Sequence, residues 1–551
     1  MLWEISNGLS NKIGATYKKL KNILIFTTSI FATAILLRLS FTQHLPGTIV
    51  FFAFIPIIYS SHKWGQKKIL IAYFLTGIVF YGILLNWIKT QSLFGYYILV
   101  IYCSLYLSVF GFLTGKNAKN IISIRKKIAL SIIFSLLEYI KNNLYIGFPW
   151  GVFASALHKE TILLQTADTF GIYGISFFII LINLFISSTL LYSQRKDINY
   201  LKKLRYTYIH FSIVFFIFSF LLIYGENKII SYRTKKTIPL TIGIIQPNID
   251  SYTKWDYSKK NQTIYIYKKL SMYLNNTDII IWPESVVPGE LIYDSKLFSS
   301  VMEVIGQKKT SIVLGSGNMV LKNNKNKHKK IFYNSAYFIT KNKKINGIYN
   351  KMILVPFGEY IPFKKQFPKL KALTPIKESF TPGSNYTVFT LKKQKKEIKF
   401  SAVICIEDIY PNHIRNFVKN GADFLINITN DGWFKNTSCA YQHYSLSVLR
   451  AVENNRYLIR CANTGISCVI SPLGETITKI SKNGLVSDIR GILKTTIYIP
   501  EKRTMTIYTK YGDLFIIIGV IYLVLYLGQN KIYSILRNFK RRKIQNIAPR
   551  P

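Results

Sequence analysis

Residues 399–408 read KFSAVICIED, and residues 278–285 read DIIIWPES. In each, a continuous apolar run (402–406 and 279–282) gives way abruptly to carboxylates. A run without polar alternation suits a strand buried on both faces of a layered sheet. Cys405, Glu407 and Glu284 thus stand where buried strand meets loop, the place where a rigid scaffold presents chemistry. Outward from these two stretches, short β-rich runs recur at 238–248, 311–318, 332–339, 423–431 and 467–475, with helical patterns at 258–275 and 441–455. That alternation predicts a layered α/β domain. The basic stretch KNNKNKHKK at 322–330 reads as a solvated hairpin loop.

The first half of the chain has a different texture. Apolar runs at roughly 22–39, 46–60, 69–87, 94–115, 127–141, 172–192 and 208–224, and one more near 513–528, predict about eight membrane helices, since a crossing needs about 20 apolar residues. The run at 46–60 is the shortest, bracketed by Pro46 and Pro56. Basic residues cluster in alternate loops: before the first span (Lys12, Lys18, Lys19, Lys21), at Lys63, Lys67 and Lys68, at Arg125, Lys126 and Lys127, and in the C-terminal tail at Lys540, Arg541, Arg542 and Lys543. Basic loops stay cytoplasmic. Both termini are therefore expected inside and the α/β segment outside. The expected division is a seven-span bundle at 1–224, an external catalytic domain at 225–512, and a last span with a basic tail at 513–551. The first span lacks a signal-peptidase site and is read as uncleaved. Residues 142–171, rich in Phe, Trp and Leu, read either as an interfacial platform beneath the external domain or as a plain connecting loop.

Charge and cysteine content narrow the function. The 551 residues carry 72 Lys+Arg against 25 Asp+Glu, a formal net charge of +47. On a soluble domain that excess would suggest nucleic acid. Here the basic loops follow from topology, and the richness in Lys, Ile, Asn and Tyr is a drift of the whole chain. No nucleic-acid partner is expected. Hydrophobic residues at 49% exclude a disordered chain. The five cysteines (Cys103, Cys405, Cys439, Cys461, Cys468) form no C-x-x-C pair, which leaves a zinc site and a redox motif without support. No metal or cofactor is expected.

A cysteine nucleophile needs a base to take its proton, and a cation or N–H groups to hold the oxyanion. Glu284 after its strand, Lys351 in YNK (349–351), and Cys405 can fill those roles without histidine. Taken singly, each has a plainer reading: a core thiol, a surface lysine, a helix cap.

Together they resemble the nitrilase (carbon–nitrogen hydrolase) superfamily, whose members carry a Glu–Lys–Cys triad on an αββα sandwich. The wider pattern of membrane spans is similar to the apolipoprotein N-acyltransferase family. The resemblance runs through GFPWG (147–151), GIYGISF (171–177), KW (254–255), WPES (282–285), NKMILVPFGEYIPF (350–363), ICIED (404–408), NITNDGWF (427–434), QH (442–443), RAVENNRYLIRCANTGIS (450–467) and PLGE (472–475). It implies that Glu284 is the general base, Lys351 the oxyanion-stabilising lysine and Cys405 the acylated nucleophile. It further implies that Glu359 and Glu407 support the triad and that Trp255 rides on a mobile arm over the pocket. Two positions depart from the family pattern. Ile406 replaces a common Tyr, which leaves its backbone N–H for the oxyanion. Cys439-Ala440 replaces a Gly-Pro pair. Cys439, Cys461 and Cys468 are read as structural, and His443 as a positioning residue.

The activity implied is transfer of a fatty acyl chain from a glycerophospholipid, expected to be phosphatidylethanolamine, through a Cys405 thioester to the α-amine of a diacylglyceryl-apolipoprotein. The setting implied is a bacterial inner membrane with the catalytic domain in the periplasm. Two rivals use the same residues: a membrane-tethered amidase for small amides, and a non-catalytic lipoprotein-binding scaffold.

Overall fold

The apolar runs of the first half fold as helices. In the computed structural model, which describes residues 2–115, 123–145, 147–254, 256–324, 327–369, 379–394, 396–434 and 437–547, these are α1 (Leu2–Ser40), α2 (Ile55–Ser61), α3 (Gln66–Leu84), α4 (Leu93–Gly115), α5 (Ile124–Asn143), α6 (Thr161–Leu164), α7 (Ala167–Ser193) and α8 (Tyr200–Arg233). With the C-terminal α15 (Leu514–Ile547), six described helices are long and apolar enough to cross a membrane. They are α1, α3, α4, α7, α8 and α15. The chain is a membrane protein. The other two expected spans take different forms. The run at 46–60 becomes a 3-10 turn, Gly47–Phe51, followed by the short α2, with Pro56 in its first turn. The run at 127–141 becomes α5, which holds Arg125, Lys126, Lys127, Glu138 and Lys141 and packs against α7 and α15. Lys127, Glu138 and Lys141 are buried in protein, the condition under which a membrane helix tolerates them.

The second half is an αββα sandwich. One sheet has the order β12-β1-β2-β3-β4-β5 and the other β11-β10-β9-β8-β7-β6. The strands are β1 (Thr237–Gln246), β2 (Ile279–Ile281), β3 (Ser311–Asn324), β4 (Lys327–Ile339), β5 (Ile345–Asn350), β6 (Phe389–Lys393), β7 (Lys396–Ile404), β8 (Phe424–Thr429), β9 (Tyr457–Ala462), β10 (Cys468–Ile470), β11 (Thr476–Lys479) and β12 (Gly491–Pro500). The middle strands, β1-β2-β3 and β7-β8-β9, run parallel. Helices α9 (Ser251–Lys254), α10 (Lys260–Met272), α11 (Ser295–Lys308), α12 (Pro411–Lys419), α13 (Cys439–Asn454) and α14 (Ile507–Tyr511) complete the layers. Strand alternation explains the continuous apolar run at 279–282. Ile279 and Ile281 point into the core between the sheets, while Ile280 and Trp282 pack outward with Tyr267 of α10 and Val301 of α11. The basic hairpin expected at 322–330 is the β3–β4 turn, with Asn324 opposite Lys327 and residues 325–326 outside the described set.

Residues 147–157 fold inward. Trp150 is 5% exposed, lies 5.2 Å from the Trp87 ring and 6.0 Å from His443, and its carbonyl accepts from buried Lys141 (2.9 Å). This stretch is a buried joint between bundle and sandwich, so the platform reading of 142–171 does not hold there. The aromatic residues that suggested lipid contact are spent on protein. Further bonds tie the joint. Gln442 of α13 donates to Leu84 O (2.9 Å) and accepts from Trp87 Nε1 (3.2 Å). Glu453 of α13 accepts from Ile172 N (3.2 Å), just past the break in α7 at Gly171. Gly171 has φ +65°, and a Cβ there would lie 2.9 Å from the Tyr508 ring, so both conformation and space require glycine.

Candidate active site

One sheet delivers two parts of the site at its strand ends and the other sheet delivers the third. β2 carries the chain to Glu284, β5 to Lys351 and β7 to Cys405. Cys405 has φ +55° and Ser285 φ +46°, a left-handed conformation that is uncommon outside glycine and marks stored strain at sites. The turn at Glu284 presses on β3. A Cβ at Gly315 would lie 2.7 Å from Glu284 Cα and Ser285 N, so only glycine admits this approach.

Glu284 is 8% and Lys351 1% exposed. Lys351 Nζ stands 2.8 Å from Glu359 Oε2 and 3.6 Å from Glu284 Oε1. Asn334 Nδ2 bridges the two carboxylates, donating to Glu284 Oε1 (2.9 Å) and Glu359 Oε1 (2.8 Å). Two negative groups thus share one ammonium and one amide. Burial pushes the Glu284 carboxyl up, with Lys351 opposing and Glu359 reinforcing. Burial alone would weaken the Lys351 ammonium, but Glu359 and Glu284 outweigh it and push its proton affinity up. Cys405 is a partly buried thiol pushed well above its usual range, first by burial and then by Glu284, with Lys351 pulling the other way. At neutral pH it rests as a thiol, which needs a base at the moment of attack.

Glu407 is fully buried and does not face this group. Its Oε1 accepts from Tyr349 Oη (2.7 Å), Met352 N (2.7 Å) and Ile353 N (3.0 Å), and its Oε2 from Ile404 N (2.8 Å). It thereby ties the backbone after Lys351 and the Tyr349 side chain before it to the strand that leads into Cys405. Burial would raise its pKa, but His413 outweighs this and holds it down. Ile406 is half-buried against the core. Trp255 lies outside the described residues. Its neighbour Lys254 is buried and donates to Glu284 O (2.6 Å), tying the end of α9 to the turn after β2.

Beneath Cys405 lies a second charged group. Asp408 accepts from His443 Nε2 (2.8 Å), Ser447 Oγ (2.6 Å) and Arg460 Nη1 (2.8 Å). Asp431 meets His443 Nδ1 (2.9 Å) and Arg460 Nη2 (3.5 Å). Burial would strip the proton from His443, but Asp408 outweighs it and raises the pKa to about 9. Burial would likewise raise Asp408, but His443 and Arg460 hold it at about 2. With both nitrogens facing carboxylates His443 is an imidazolium, a positioning residue as expected. Asn427 adds a bond to Cys405 O (3.1 Å).

With this geometry in view, the likenesses to known proteins fall into place. A family described as apolipoprotein N-acyltransferase N-terminal domain matches residues 33–185, and carbon-nitrogen hydrolase matches 241–490. The apolipoprotein N-acyltransferase of Rickettsia prowazekii is 30% identical over 397 residues, covering 72% of this chain and 74% of that protein. The chain belongs to the apolipoprotein N-acyltransferase family. The enzyme of that name from Geobacter metallireducens is 29% identical, covering 88% of this chain and 91% of its own. Among solved structures, an amidase of the nitrilase superfamily from Nesterenkonia AN1 aligns at 14% identity and TM-score 0.34, covering 50% of this chain and 95% of that one.

In this member of the apolipoprotein N-acyltransferase family, sequence reading singled out the upper group and gave no role to Asp408, Asp431, Arg460 or Asn334. One signal was available. Arg460 sits in YLIRCA, a run otherwise fit for a strand buried on both faces, and a guanidinium there demands buried carboxylates.

Proposed function

We propose that the chain is an N-acyltransferase of lipoprotein maturation, with Glu284, Lys351 and Cys405 as its catalytic residues. Cys405 Sγ attacks the sn-1 ester carbon of a glycerophospholipid while Glu284 takes the thiol proton. Lys351 and the Ile406 N–H hold the tetrahedral oxyanion. Collapse breaks the C–O bond, Glu284 returns the proton to the departing lysophospholipid alkoxide, and a thioester remains. The α-amine of a diacylglyceryl-cysteine then attacks that thioester, Glu284 receives the amine proton, and the thiol is restored as the amide forms. Glu359 holds Lys351, and Glu407 fixes the Lys351 turn against the nucleophile strand. The donor is phosphatidylethanolamine. The membrane is the bacterial inner membrane, with 225–512 as the periplasmic catalytic domain between the spans of 1–224 and 513–551.

One observation carries the mechanism: a protonated, partly buried thiol at a strand end beside a buried carboxylate of raised pKa and a buried ammonium. That arrangement suits general-base attack on an ester more than a standing thiolate. Its place against a membrane bundle spares the acyl chains from extraction into water, which costs about 0.8 kcal/mol per CH₂.

Incubation with phosphatidylethanolamine and no amine acceptor tests it. Intact-protein mass spectrometry is expected to show one added acyl group, mapping to the Cys405 peptide, released by hydroxylamine and discharged to a diacylglyceryl-cysteinyl peptide. An adduct on Cys439, Cys461 or Cys468, or hydrolysis of small amides with no adduct, would reject this mechanism.

A further inference from the structure

Away from Cys405, a cavity of about 170 Å3 opens between α8 and the sandwich. Lys228, Tyr232 and Lys235 line it from the α8 side, and Val452, Leu473 and Met505 from the other. Lys228 and Tyr232 stand one helical turn apart on α8 and so share a face, and Lys235 follows just past the helix end. A second, smaller cleft adjoins it and shares Lys235, Asn455 and Thr504. The joined clefts therefore set apolar side chains among polar ones beside a group of cations, a mixed lining that suits an amphiphile.

The charges do not cancel. Asp168 is taken by Lys228 (2.6 Å), and Asp423 by Arg503 (2.7 Å). Arg456 donates to the carbonyls of Ala422, Asn455 and Thr504. Lys235 is half-buried, and among the described residues no hydrogen bond or ion pair reaches its ammonium, which only overlies the Tyr232 ring at 5.1 Å. Burial, Arg456 and Lys228 all lower its proton affinity, the mark of a positive site without its anion.

Height and distance identify the occupant. On α8, Phe211, Phe215, Phe216, Leu222 and Ile223 are exposed, the lipid-facing face of a spanning helix. Lys228 stands about 8 Å further along the axis than Ile223, at the headgroup layer. The cleft meets the end of α13 at Val452 and Asn455, whereas the opposite end of α13, at Cys439, is the one near Cys405. Sixteen helical residues span about 24 Å, too far for a headgroup whose ester lies at the thiol. We propose that this cleft is a second lipid site, in which Lys235 receives the phosphate of an anionic phospholipid headgroup.

The test uses the full chain carrying Cys405→Ala, so lipid retention is read without turnover and stands apart from the acyl-transfer mechanism. Protein is reconstituted in nanodiscs of phosphatidylethanolamine and phosphatidylglycerol, released, and examined by native mass spectrometry. Phosphatidylglycerol is expected to be retained over phosphatidylethanolamine. Lys235→Glu is expected to lower that preference about tenfold, the scale of charge changes at a membrane surface. Lys235→Arg is expected to keep it, and Lys235→Gln to lower it by a smaller factor should the Glu variant misfold. Equal retention of the two lipids, or an unchanged preference in both the Glu and Gln variants, overturns the proposal. Displacement of phosphatidylglycerol by an equal concentration of inorganic phosphate overturns it too, and assigns the cleft to free phosphate.

Discussion

Two charged groups act on Cys405, and they differ in how their charges are matched. Above, Glu284 and Glu359 share Lys351 and the amide of Asn334. Among the described residues, Lys351 is the one cation paired directly with these carboxylates, since the nearby Lys254 ammonium bonds the Glu284 carbonyl instead. Two carboxylates on one paired ammonium leave a proton's place undecided, which is what a base requires. Below, Asp408 and Asp431 meet His443 and Arg460, two against two, sealed from solvent. Asp408 stays ionised and His443 stays protonated across the neutral range. On the proposed mechanism, the same residue types serve as reactive groups when under-matched and as a rigid floor when balanced.

Breaking the balanced group should produce the largest effect. Arg460→Met strips a buried pair of its cation and is expected to cost about 3–5 kcal/mol, read as a lower unfolding midpoint or lost expression; a variant as stable as the parent would mean the lower group is not structural. Glu284→Gln and Lys351→Ala are expected to fold normally and lose about 10²-fold or more in turnover, roughly 2.7 kcal/mol. Near-parental rates in either would show that the under-matched group does not do the chemistry.

The pH dependence of stability sharpens the contrast. His443 binds its proton with a pKa of about 9 when folded against a model value of 6.5, so its contribution is full below about 6.5 and lost as pH rises toward 9. Asp408 is held at about 2 against 3.8, so its contribution is present above 3.8 and lost as pH falls through 2. Thermal unfolding followed from pH 6 to pH 9 should show Tm falling, and His443→Gln should flatten that slope. The smallest effect is expected at Ile406. If only its N–H serves the oxyanion, Ile406→Tyr changes the rate less than about tenfold, about 1.4 kcal/mol. A much larger gain in steady-state assay would show that the side chain limits this site.

The two groups were unequally legible in the sequence. Glu284 and Cys405 follow continuously apolar strands, so both the strand and its reactive end stand out. Lys351 follows β5, whose pattern is mostly exposed and half-exposed; only its motif marks it. Asp408, Asp431, His443 and Arg460 come from four separate elements, and no local pattern brings them together. Residues 147–157 misled for a related reason. Aromatic residues that suit a lipid interface suit an internal joint equally well, and composition does not separate the two. The runs at 46–60 and 127–141 are helical, yet neither is among the helices long and apolar enough to cross, because Pro56 interrupts the first and Lys127, Glu138 and Lys141 punctuate the second.

The joint between bundle and sandwich has a consequence for anyone cutting the chain. A single apolar cluster runs from Ile30 and Phe54 in the bundle through Phe338, Phe400 and Leu449 in the sandwich to Ile516. Glu453 bonds the restart of α7, Gln442 bonds the end of α3, and Asn412 of α12 bonds Asp513 at the start of α15 (2.6 Å). A fragment that starts at 225 and stops at 512 would keep every residue assigned to the reaction, yet expose the buried flank of α13 and strip one bond each from Glu453, Gln442 and Asn412. The enzyme is divisible on paper at two points and in substance at neither. Its chemistry belongs to a unit that must be harvested, purified and assayed in detergent or lipid as one piece.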